Sequence, residues 1–101
     1  MIYIDIFKAS IELTDERWRH IIREHPEVEQ YRERIQEVLS DPDYVKASNR
    51  DSEVALYYKF YEDIFSGKYM LISVKKGLRF FILTCYITDM IKKGVTLWEK
   101  K

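Results

Sequence analysis

Glycine, proline and cysteine are all scarce in this chain. Three glycines and two prolines among 101 residues provide no glycine-rich phosphate loop, no linker and no low-complexity tract. A single cysteine, Cys85, excludes an intramolecular disulfide and a cysteine metal cluster. On the apolar parity of its strand it reads as a reduced structural thiol rather than a nucleophile. Net charge is absent too, with 17 Lys and Arg against 17 Asp and Glu. The longest apolar run, Phe80 to Ile87, is too short to cross a bilayer. The opening stretch MIYIDIFKAS has an aspartate inside its apolar run and no basic start, unlike a signal peptide. A soluble, cytoplasmic protein without membrane contact is the expectation.

What is present suits one domain over residues 1–101. Apolar residues make up 47% of the chain, enough to bury roughly two-thirds of the unfolded surface at this length. Charge is spread unevenly. Residues 1–50 hold 8 Lys/Arg against 11 Asp/Glu, and residues 51–101 hold 9 against 6. An anionic partner would therefore meet the C-terminal half.

The clearest pattern is KYMLISVKKGLRFFILTCYITD, Lys68 to Asp89. Apolar residues alternate with period two on both sides of Gly77, which predicts two strands and a tight turn. A turn centred on Gly77 and Leu78 pairs Val74 with Phe81 and Ile72 with Leu83. Met70, Ile72 and Val74 then share a face with Phe81, Leu83, Cys85 and Ile87. Tyr69, Leu71, Ser73 and Lys75, with Phe80, Ile82, Thr84 and Tyr86, line the other face. A third strand, Val54 to Tyr61, is expected with Val54, Leu56 and Phe60 towards the core, and Tyr57 and Lys59 on the open side.

Upstream, Thr14 is a fitting N-cap, with Asp15 and Glu16 at the positive end of a helix dipole. Trp18, Ile21, Ile22 and His25 form one helical stripe, while His20 falls on the wet side. Pro26 stops this helix and opens a second, whose stripe is Tyr31, Ile35, Val38 and Leu39. Tyr44 to Ser48 reads as a further strand, and Thr88 to Lys93 as a helical turn closed by Gly94. The expected architecture is α+β, with two N-terminal helices packed on one face of an antiparallel sheet of about four strands.

Candidate chemistry gathers on the open sheet face: Tyr57 and Lys59, Ser73, Lys75 and Lys76, Thr84 and Tyr86. Cations that steady a growing negative charge, hydroxyls that hold phosphate oxygens and aromatics that stack on bases suit a phosphodiester. The same residues equally describe an ordinary strand surface with solubilising lysines. Histidine is the one side chain that titrates near neutrality unperturbed. His25, at a helix end before proline, can reach towards a sheet edge, or can simply cap and pack. The spacing of His20 and His25 supplies no metal-ligand set, and no cofactor is expected.

The ordered set LTDERWRHIIREHPE, LSDPDYV, YYKFY, YMLISVKK, FFILTCYITDMIKKG and LW resembles the phage-associated barnase–EndoU–colicin–RelE-like nuclease domains. The resemblance runs from Ile11 to Trp98. Its most specific pieces are His25-Pro26-Glu27, Asp41-Pro42-Asp43, and Thr84-Cys85-Tyr86 followed by Thr88-Asp89. It implies two helices followed by a curved antiparallel sheet. It also implies metal-independent endoribonuclease activity of the toxin or phage-effector type, with RNA as substrate and an antitoxin or immunity protein as a candidate partner. Residue by residue, the helix histidine corresponds to His25, with His20 second. The strand cation corresponds to Lys75, and the hydroxyl pair to Thr84 and Tyr86. Several members have Ala where this chain has Cys85. The alternative is a non-catalytic module that binds RNA or a protein through the same face.

Overall fold

A computed structural model describes all 101 residues. Helix α1 spans Asp15–Glu24, with the Thr14 side chain accepting a hydrogen bond from the Arg17 N–H. It ends at His25, where proline follows. Residues Pro26–Arg34 then form a 3₁₀ segment with a non-helical break at Tyr31, and α2 covers only Ile35–Ser40. The expected second helix is therefore broken at Tyr31, and only its last six residues are α-helical.

The sheet differs more. Its strands are β1 (Ile2–Ile4), β2 (Ser10–Glu12), β3 (Tyr44–Ala47), β4 (Val54–Tyr61), β5 (Lys68–Lys75), β6 (Phe80–Thr88) and β7 (Thr96–Glu99). They form one sheet in the order β1-β2-β6-β5-β4-β3-β7. All pairs are antiparallel except β2 with β6, which is parallel. The expectation of about four antiparallel strands is thus overturned by a seven-stranded mixed sheet. Strands β2 and β7 are three and four residues long, too short for a period-two pattern to declare itself; β1, by contrast, is announced by the alternation of Ile2 and Ile4 with Tyr3. The tract after β6 is no helical turn either. Residues 89–95 run as an irregular strap from β6 to β7, across the sheet face opposite the helices.

Two corrections concern which side chains face the helices. In β6 the pairing with β5 shifts between Ser73 and Val74, so that Ser73 opposes Thr84 while Val74 opposes Ile82. Leu83 is the extra residue, and such a bulge exchanges the faces on either side of it. Cys85 and Ile82 enter the core, Ile87 packs beside them, Leu83 turns to the other face and Phe81 is exposed. The predicted pairs Val74–Phe81 and Ile72–Leu83 do not form. In β4 the faces are reversed: Ala55 and Tyr57 lie in the core, and Val54, Leu56 and Tyr58 lie on the strap side. Val54 to Tyr58 are all buried, so their alternation carried no information about which face met the helices.

The main core holds 17 buried side chains, among them Trp18, Ile21, Val28, Ile35, Val38 and Leu39 from the helical layer against Met70, Ile72, Val74 and Cys85 from the sheet. The strap side has a smaller cluster, Val54, Leu56, Tyr58 and Leu71, covered by Ile91 and flanked by Tyr44, Tyr69 and Tyr86. One carboxylate is buried in the main core. Asp5 accepts the Tyr57 hydroxyl, and its other oxygen accepts the N–H groups of Phe7 (2.9 Å) and Ala9 (2.8 Å). This pins the β1–β2 connection to β4. No helix is long and apolar enough to cross a membrane.

Candidate functional site

Strand β2 covers only the first two residues of β6, pairing with Phe80 and Phe81. From Ile82 onward the outer edge of β6 has no strand neighbour, and the end of α1 lies beside it. Proline at position 26 stops the helix here because it has no N–H to donate and restricts the residue before it. His25 leaves the helix with φ −132° and ψ 69°. Its ring stacks on Tyr86, with centroids 5.1 Å apart and planes inclined by 26°. Glu27, in the first turn of the 3₁₀ segment, brings a carboxylate oxygen to 3.8 Å from His25 Nδ1. Both side chains are about one-third exposed, 32% and 31%, so ring and carboxylate remain accessible from solvent.

Tyr86 shares its sheet face with Thr84, and Thr84 opposes Ser73 on β5. The strap crosses this face. Its Lys92 N–H donates to the Tyr58 hydroxyl at 3.0 Å, and Lys92 Nζ lies 5.9 Å from the Tyr86 ring centroid. A histidine, a tyrosine and a threonine thus form one strip at the β6 edge, with a buried serine beside it and a lysine over its aromatic member. These groups can exchange a proton, donate hydroxyl hydrogen bonds and offset negative charge, the three requirements of phosphoryl chemistry without a bound cofactor. No group of three or more His, Cys, Asp or Glu side chains is gathered anywhere to hold a metal ion.

The remaining candidates lie elsewhere. His20 is on the outer face of α1, where its Nε2 meets Glu24 at 2.9 Å. Lys75 is on the same face as Ser73, but at the far end of β5. Tyr86 opposes Leu71, and Lys75 is four residues beyond it, about 13 Å along the strand at the usual rise. Asp51 holds the Lys75 ammonium at 2.5 Å, with Glu53 at 3.8 Å. That hydrogen bond keeps Lys75 above its ordinary pKa and Asp51 below the usual carboxylate range. Lys76 follows it into the turn, donating its backbone N–H to Glu53.

Tyr57 and Lys59 are on the wrong side of the sheet for this site. Tyr57 is buried under the helices, and burial followed by its bond to Asp5 pushes its phenol well above the ordinary value. Lys59 Nζ reaches back to the end of α2, bonding the Asp41 carbonyl at 2.8 Å and its carboxylate at 3.1 Å. Both are structural. Cys85 is fully buried and its thiol is driven up by desolvation, the state of an inert core cysteine.

Lys92 and Glu27 are the site residues that sequence reasoning missed. Glu27 had a local signal, since it follows His25 by two positions in His-Pro-Glu. Lys92 had none, because it reaches Tyr86 only after the strap has folded back across the sheet. No protein-family profile, no curated protein and no solved structure matches this chain.

Proposed function

We propose that this protein cleaves RNA without a metal ion, using the strip at the β6 edge. His25 takes the proton of a ribose 2′-hydroxyl, and the oxygen attacks the adjacent phosphorus. The bond to the 5′-oxygen breaks, that oxygen takes a proton from solvent water, His25 releases its own to solvent, and the products are a 2′,3′-cyclic phosphate and a 5′-hydroxyl. Glu27, 3.8 Å from Nδ1, offsets the charge of the imidazolium once the ring holds the proton. Tyr86 and Thr84 donate to the non-bridging oxygens, and Lys92 offsets the charge that grows on them. The cationic role goes to Lys92 rather than Lys75, because Lys75 is already engaged by two carboxylates.

The observation that carries this reading is the stack of the His25 ring on Tyr86 at the open edge of β6. Pro26 already takes His25 out of the helix; what supports the reading is where the ring then goes, onto a hydroxyl-bearing ring and beside a carboxylate, both within reach of solvent. The test is His25→Gln, assayed on a structured RNA with product ends analysed. Acid–base catalysis is worth roughly 10²–10⁴-fold, so cleavage should fall by about 10² or more with the fold intact and with a chelator without effect in either protein. Cleavage that survives in His25→Gln would end the proposal. The separation of His25 from Lys75 favours a second reading, an RNA-binding module that does not cleave. Under it, the wild-type chain binds RNA and leaves it intact.

A further inference from the structure

The strap does more than cover the small cluster. Gly94 passes so close to β3 that a Cβ there would lie 2.3 Å from the Ala47 carbonyl oxygen, and Ala47 donates its N–H to the carbonyl of Val95 at 2.8 Å. Together with the Lys92–Tyr58 bond, this fixes the strap at two points. Beside it lies a depression of about 270 Å³, lined by Ser48, Asn49, Arg50, Leu56, Lys92 and Lys93. It has three cationic groups, a hydroxyl and an amide, and no carboxylate. None of Arg50, Lys92 or Lys93 takes part in the ion pairs of the fold. Elsewhere on this half of the chain Lys59, Lys75 and Lys100 are held by aspartates, and Lys68, Lys76 and Arg79, though unpaired too, do not share one concavity. Unpaired cations gathered in one concavity favour an anion, and a guanidinium among them suits a phosphate, which it can grip with two N–H groups.

We propose that this depression binds backbone phosphates of the RNA strand, next to the linkage held at the β6 edge. The inference rests on the RNA reading above and extends it: Lys92 lines the depression and also lies over Tyr86, so it joins the two regions into one track. The substrate is then a single-stranded stretch extending from the β6 edge towards residues 48–50, and the depression reads its charge rather than its bases.

The probe is a fluorescein-labelled single-stranded oligoribonucleotide, 2′-O-methylated throughout so that 2′-hydroxyl attack is impossible. Binding is followed by anisotropy over a series of salt concentrations. Each phosphate contact to a single strand contributes about 0.7 to the slope of log K against log salt. The double variant Arg50→Ala, Lys93→Ala should therefore lower the slope by about 1.4 and weaken low-salt binding about tenfold or more. Arg19→Ala, on the helical side, should leave the slope unchanged. Both substituted side chains of the double variant are exposed and unpaired, so the fold should persist, as circular dichroism would verify. An unchanged slope in the double variant, an equal fall in Arg19→Ala, or no binding by the wild-type chain would overturn the inference. If the slope falls as expected but cleavable RNA stays intact, the phosphate track stands and the nuclease reading fails. If His25-dependent cleavage occurs and the slope does not move, the reverse holds.

Discussion

The two faces of the sheet are built on different terms. Under the helices, 17 apolar side chains are buried together, and the one charged group buried beside them, Asp5, has donors on both carboxylate oxygens. On the strap side the buried cluster has four members, fringed by half-buried Tyr44, Tyr69 and Tyr86, with the exposed Lys92 over the Tyr86 ring. The first face meets the entropy cost of folding by dense apolar burial. The second spends little of its surface on stability and keeps hydroxyls, rings and cations within reach of solvent. Functional groups are therefore expected on the face where their loss costs the fold least.

The sharpest way to break this comparison is to truncate one residue on each face. Ile72→Ala, in the centre of the main core, should cost about 2–5 kcal/mol by denaturant unfolding. Leu83→Ala, on the bulge and half-buried at the strap face, should cost about half of that or less. Equal losses would mean that the strap face contributes to stability as the core does.

A smaller effect is expected from the pin between the N-terminal connection and β4. Tyr57→Phe keeps the ring but strips the buried Asp5 carboxylate of one donor, at a cost of about 1–3 kcal/mol. This substitution also has a pH signature. The folded Tyr57 phenol lies above its unfolded value, first through burial and then through the Asp5 bond. Its contribution is therefore complete below about pH 10, and is lost as pH rises and the unfolded phenol ionises first. The stability of Tyr57→Phe should decline less steeply above that pH than that of the wild-type chain. Parallel alkaline limbs in the two proteins would show that the phenol is not coupled to folding.

The smallest effect belongs to the exposed pair Asp51–Lys75. Asp51 is held below the usual carboxylate range chiefly by its hydrogen bond from Lys75. Its stabilising contribution is present above about pH 4 and fades as pH falls through the folded value. In Asp51→Asn the acid limb should become slightly shallower, and added salt should erase the difference, since exposed pairs are screened. A salt-resistant loss would identify Lys75 as something more than a surface cation at the far end of the site.

Much of the local structure was legible in the residues. Thr14 caps α1, Pro26 stops it, the Trp18–Ile21 stripe turns inward, and the alternation of Met70, Ile72 and Val74 gives the core face of β5. His25 was legible as a ring able to leave a helix for a sheet edge, and Thr84 and Tyr86 as hydroxyls sharing one face. These features depend on neighbours within a turn or two, so composition and spacing determine them. Tertiary structure alone decided the rest. The Leu83 bulge depends on how β6 meets β5, and the facing of β4 depends on which of two apolar sides the helices cover. The three-residue β2 becomes a strand only because the β6 edge is there to pair with it, and Lys92 joins Tyr86 only because the strap is held down at Gly94 and Tyr58. Each of these is a contact between segments far apart in the chain, where short-range pattern has no physical hold and the packing of the whole sheet chooses the outcome.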